Sequence, residues 1–115
     1  MSKKKGHAEL PYFGVRDACL TIGGVPVSDL YEQVGRVPFF AYDSEVIKDR
    51  ISLLREKLPS NVSLHYAIKA NSMPDVVQLI APLVDGLDVA SGLELDVALT
   101  TDTAPHCVSM AGPGK

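Results

Sequence analysis

The residue of this chain best suited to covalent chemistry is Lys69, within His65-Tyr66-Ala67-Ile68-Lys69-Ala70-Asn71. The stretch reads as a short β-strand. Period two sets His65, Ala67 and Lys69 on one face and Tyr66, Ile68 and Ala70 on the other. Pro74 and an apolar run at Val76, Val77, Leu79 and Ile80 follow and predict a helix. The lysine therefore stands at the carboxyl end of a strand that feeds a helix. That is the end at which α/β folds bind ligands. Lysine is rarely buried without a partner. Withdrawn from water, it holds its proton less tightly and becomes an amine nucleophile for carbonyl compounds. Left at a strand mouth, it simply carries its charge out to solvent. Spacing alone leaves both readings standing.

Asp88 comes next. It lies near the exit of a second predicted strand at 87–90, so its carboxylate can approach Lys69 across one strand pair, neighbouring strands being ~4.8 Å apart. A carboxylate there favours the charged amine. Asp is equally a common turn acceptor. Ser91 and Glu94 fit a capping box, Ser followed three residues later by Glu. Glu94 either caps its own helix or lines the site at the strand ends. Ala67 is either plain packing or a deliberately small residue. His65 lies deeper on the same face and reads as a satisfied core histidine. Gly112 and Gly114 either present backbone amides to an anion or make a simple turn.

These groups need elements to hold them. Residues 1–11 are polar and read as a disordered start. Within 12–27 the best strand is Leu20-Thr21-Ile22, with Gly23-Gly24 as a turn and extended chain resuming at Val25. Ser28 can cap a short helix over 29–34, stopped by Gly35. A strand is expected over 37–42, then a helix capped by Asp43 or Ser44. Val46, Ile47, Ile51, Leu54 and Leu58 form its apolar face. Its charged residues, Arg55 among them, read as a solvated face. Pro59-Ser60-Asn61 breaks the helix. A strand over 62–68, a helix over 74–83, a strand over 87–90, a helix through Leu99 and a strand over 106–111 complete the order. Strands alternating with helices predict a parallel sheet of α/β class.

Composition excludes several classes. The chain has 115 residues and a net charge of −3, enough for a core but short of the ~250 residues of a (β/α)8 barrel. Lys3-Lys4-Lys5 is the one basic cluster, so nucleic acid is not an expected partner. No apolar run approaches the ~20 residues of a membrane span and no signal-peptide core follows the lysines. The expected location is the cytoplasm, with no membrane partner. Cys19 and Cys107 make no disulfide framework. His106 and Cys107 would face opposite sides of a strand, so no metal site is expected.

Four ordered stretches carry a resemblance. They are Pro38-Phe39-Phe40-Ala41-Tyr42-Asp43, Tyr66-Ala67-Ile68-Lys69-Ala70-Asn71, Gly86-Leu87-Asp88-Val89-Ala90-Ser91-Gly92-Leu93-Glu94-Leu95 and Ala111-Gly112-Pro113-Gly114-Lys115. Together they resemble the fold-type III pyridoxal-phosphate-dependent decarboxylases, the ornithine, diaminopimelate and arginine decarboxylase relatives. The Gly-Pro-Gly-Lys ending is most like the ornithine-type and exosortase-associated members. The resemblance implies part of an alanine-racemase-like (β/α)8 barrel, about strands 1–4, over 36–115. It assigns 12–35 to a leading β-strand and short helix of the second, β-rich domain. It makes Lys69 the catalytic lysine that forms a Schiff base with pyridoxal phosphate. Asp88 would sit beside that lysine, and Ala67 would be small so that the cofactor ring can lie over the strand. The implied reaction is decarboxylation of a free ornithine-, diaminopimelate- or arginine-like amino acid, and the implied assembly a homodimer that shares its active sites. The remaining cofactor and second-subunit residues would lie beyond Lys115, so the isolated chain is expected to be inactive. A racemase-like carrier of the same cofactor, or a regulatory paralogue without catalysis, fits the lysine motif as well.

Overall fold

A computed structural model describes residues 11–112. The expected disordered start, Pro11 excepted, and the Pro113-Gly114-Lys115 end of the last motif fall outside them. The chain divides into two compact units, one running to Val46 and one from Ile47.

In the first unit three short strands form an antiparallel meander, β1 (Val15–Arg16), β2 (Cys19–Ile22) and β3 (Val25–Pro26). Gly23-Gly24 makes the two-residue turn between β2 and β3, both at positive φ as such hairpins require. The leading strand is thus the centre of a small sheet. Helix α1 (Val27–Gln33) follows at once. Ser28 does not cap it. Pro26 holds that position, because it is tied to Thr21 in the ladder and its ring fixes φ at −58°. The Ser28 hydroxyl instead donates to Asp29 Oδ1 at 3.4 Å.

Residues 37–42 form no strand. The stretch has strand-like composition, but a strand exists only where another backbone takes its hydrogen bonds. Among the described residues no ladder partner meets it, and Phe40 stands 90% exposed. Helix α2 (Ser44–Lys57) begins where expected, with Asp43 Oδ1 accepting the Glu45 amide at 2.9 Å. Asp43 Oδ2 also accepts the Gly23 amide at 3.0 Å.

The second unit is built on a three-stranded parallel sheet in the order β4 (His65–Ala67), β5 (Gly86–Val89), β6 (Val108–Met110). Helix α3 (Pro74–Ile80) joins β4 to β5, and helix α4 (Gly92–Leu99) joins β5 to β6. Pro74 occupies the first helical turn, and Pro82 lies in a 3-10 turn, Ala81–Leu83, that closes α3. β4 and β6 are shorter than expected, and β5 has its expected length but begins one residue earlier. Residues 62–64 do not pair as strand, and Ile68–Ala70 is a 3-10 turn. Pro105–Cys107 is another, so His106 and Cys107 lie on a turn, not on alternate faces of a strand. Among the described residues no cluster of metal-binding side chains occurs. None of their helices is long and apolar enough to cross a membrane.

One face of the sheet makes the core. Ile68, Leu87 and Val89 are fully buried against Val77 of α3 and Ala98 of α4, with Tyr66, Val108 and Met110 packed beside them. Each such side chain contributes about 1.5–3 kcal/mol of transfer free energy. Period two then forces Ala67, Asp88 and Ser109 onto the other face, which adds nothing to that core.

Candidate functional site at the carboxyl ends of the parallel strands

Lys69 lies in the 3-10 turn directly after β4, at the carboxyl end of the sheet. Its side chain is exposed, not withdrawn from water as a lysine on a buried strand would be. Two features explain this. The strand ends at Ala67, so Lys69 is beyond the ladder, and the bare face of the sheet offers no cover. The turn itself is held in place. The Tyr66 hydroxyl donates to the Asn71 carbonyl at 2.8 Å, bridging residues 68–70. Asn71 Oδ1 accepts the Met73 amide at 3.0 Å and leads the chain into α3.

Ala67, Asp88 and Ser109 are register partners across β4, β5 and β6. They form one row on the bare face, two residues before Lys69. Asp88 is half-buried. Its Oδ1 accepts the Ser109 hydroxyl at 2.8 Å. Among the described residues no ion pair or hydrogen bond joins Asp88 to Lys69. The structure therefore brings Lys69, Ala67 and Asp88 to the carboxyl end of the sheet, Ala67 and Asp88 on its bare face, with Asp88 oriented by β6.

His65 stands on that face as well, two register positions deeper, opposite Gly86. It is exposed and is not the core histidine expected from its position. The reason is the same: the core residues of α3 and α4 lie on the other side, and among the described residues none of the buried core cluster is on this one. Glu94 acts as a cap. Its amide donates to Ser91 Oγ at 3.2 Å, and its Oε2 accepts the Ala90 amide at 2.6 Å. Its carboxylate thereby holds the loop between β5 and α4. Gly112 follows β6 at positive φ, the conformation of a turn.

Sequence reasoning missed Ser109. Its signal was the alternation of Val108, Ser109 and Met110, which puts the one hydroxyl of the strand on the face of Asp88. It also gave Arg55 no role. In the structure Arg55 binds Asp85, at the opposite end of the sheet from Lys69.

Residues 44–115 match the family model described as pyridoxal-dependent decarboxylase, pyridoxal binding domain. The chain belongs to this family. It is similar to diaminopimelate decarboxylase of Aquifex aeolicus, 37% identical over 105 residues, covering 91% of this chain and 24% of that protein. It is 33% identical over 89 residues to the 2-[(L-alanin-3-ylcarbamoyl)methyl]-2-hydroxybutanedioate decarboxylase of Staphylococcus aureus, covering 77% of this chain and 22% of that one. A solved crystal structure of an Aquifex aeolicus protein superposes with a TM-score of 0.80 at 37% identity, covering 92% of this chain and 26% of the other. The chain thus spans about a quarter of the length of the relatives it matches. The fold is that of the amino-terminal domain of these decarboxylases, and the family's cofactor is pyridoxal phosphate. The residues present fit that group. An accessible primary amine stands at a strand exit, next to a face lined by a methyl group and a carboxylate.

Proposed function

We propose that this chain is the amino-terminal part of a pyridoxal-phosphate-dependent amino-acid decarboxylase. Lys69 is its attachment point for the cofactor's aldehyde carbon. One observation carries the reading: within the matched domain, Lys69 is an exposed amine at the carboxyl end of β4, on the end of the sheet where α/β enzymes work. Bound there, pyridoxal phosphate supplies an electron sink for the carbanion left when carbon dioxide departs.

The chain's own residues have simpler tasks. Tyr66 fixes the turn that presents the amine. Ala67 leaves room above β4 for a planar ring. Asp88 holds negative charge beside the amine's approach and orients it. The sheet corresponds to consecutive early strands of an alanine-racemase-like barrel, within the four that 36–115 would supply. Among amino acids, the names of the Aquifex and Bacteroides relatives favour diaminopimelate as the substrate class. In this reading the complete enzyme is a cytoplasmic homodimer acting on a free small molecule. The 115-residue chain alone is inactive, because the open face of a three-stranded sheet encloses no substrate.

The test is chemical labelling. The chain is incubated with pyridoxal phosphate, reduced with borohydride and mapped by peptide mass. Label concentrated on Lys69 supports the assignment. Label spread evenly over the lysines removes it. Steady release of carbon dioxide from diaminopimelate by the isolated chain would overturn its proposed inactivity.

A further inference from the structure

Ser109 is the feature of the candidate site that the proposed function leaves unused. It stands on the bare face of β6, exposed, while its neighbours Val108 and Met110 pack into the core. Its hydroxyl donates to Asp88 Oδ1 at 2.8 Å. A single surface hydroxyl adds little to stability, since water can replace it. Its effect on direction is larger. A carboxylate rotates about its last torsion with only a broad preference, and one bond to a charged acceptor is enough to fix it. On the β6 side Asp88 is therefore tied down. On the β4 side its register neighbour is Ala67, whose methyl group competes for neither oxygen. Among the described residues Oδ2 accepts no hydrogen bond, so it is the oxygen left for the amine two residues beyond Ala67.

We infer that Ser109 is a positioning residue, which turns the Asp88 carboxylate so that Oδ2 serves the amine at the exit of β4. The inference rests on the proposed role of Lys69. It assigns β6 a share in a site whose chemistry sits on β4. Ser109 acts only through Asp88 and touches neither the amine nor the cofactor.

The test measures where pyridoxal phosphate is trapped by borohydride in the 115-residue chain, as the ratio of label on Lys69 to label on the other lysines. Ser109→Ala is expected to lower that ratio roughly tenfold, the scale of one hydrogen bond to a charged group. Ser109→Thr, which keeps the hydroxyl, is expected to restore it. In an Asp88→Asn background Ser109→Ala is expected to change nothing further, because two residues acting as one unit are not additive. An unchanged ratio in Ser109→Ala overturns the inference, as does an equal loss in the Asp88→Asn background. Absence of Lys69 preference in the unaltered chain overturns the assignment of Lys69 first, and the role of Ser109 with it. Circular dichroism of each variant identifies loss of fold. If Ser109→Ala unfolds, Ser109→Val, which has the shape of threonine without its hydroxyl, decides the question by comparison with Ser109→Thr: a ratio equal in the two overturns the inference.

Discussion

Arg55 Nη1 donates to Asp85 Oδ2 at 2.5 Å, and the same oxygen accepts the Leu64 amide at 2.7 Å. Arg55 Nη2 reaches the Leu83 carbonyl at 3.3 Å, and the Asp85 amide donates to the Leu64 carbonyl at 2.8 Å. One carboxylate thereby joins α2 to the approaches of β4 and β5. All of this lies at the amino ends of the strands, away from Lys69. In α/β folds that end serves stability and the other serves chemistry. Here Asp85 makes its bonds at one end, and Lys69, the proposed attachment point, stands at the other.

The Arg55 hydrogen bond, and after it the Leu64 amide, hold the Asp85 carboxyl down to about 2 from an ordinary 3.8. A folded-state value below the unfolded one means that the unfolded chain binds more protons between them. The stabilisation is then complete above about 3.8 and is lost as the pH falls towards about 2. Asp85→Asn is expected to lower the urea midpoint at pH 7 and to flatten its fall between pH 4 and about 2. Both side chains are more than a third exposed, so high salt is expected to weaken the Arg55 share. An acid limb in Asp85→Asn as steep as in the unaltered chain would show that another group governs it.

Tyr66→Phe keeps the ring in the core and deletes only the hydroxyl that bridges to Asn71. The expected cost is about 1 kcal/mol of stability, that of one neutral hydrogen bond. The turn carrying Lys69 is expected to open more often, with faster amide exchange across residues 68–71 and slower fall-off beyond them. Hydrogen exchange read residue by residue checks this. Equal exchange in both proteins would mean that the turn needs no bridge.

Much of this arrangement was legible in the sequence because local rules wrote it. Pro74 announced α3, Ser91 announced α4, and the apolar runs announced three parallel strands. The turn at Asp17-Ala18 carried no such mark. Both residues take positive φ, 51° and 60°, without a glycine to signal it. Residues 37–42 erred the other way, with strand-like composition and no partner backbone among the described residues. The site showed the same limit. Lys69 and Asp88 stood out by type and position. The bonds of Arg55 to Asp85, 30 residues on, and of Ser109 to Asp88, 21 residues back, did not. Long-range pairs have no local periodicity, and only the folded register brings them together.

Gly86 shows how tightly that register is fixed. A methyl group built on it would overlap the Cys107 carbonyl oxygen and lie 2.5 Å from His65 Cε1. Gly86→Ala is therefore expected to cost about 1–3 kcal/mol, the usual range for overpacking, read as a lower urea midpoint. The two obstacles differ in kind. The His65 ring is an exposed side chain and can swing away, whereas the Cys107 oxygen is backbone leading directly into β6. If the backbone is the true obstacle, His65→Ala recovers little of the loss in a Gly86→Ala background. Full recovery would locate the conflict in the imidazole instead, and would mean that β5 and β6 can separate by a few tenths of an ångström at little cost. Such freedom would also loosen the Asp88–Ser109 bond two register positions further along, so the same double variant measures how rigidly the strand exits are held.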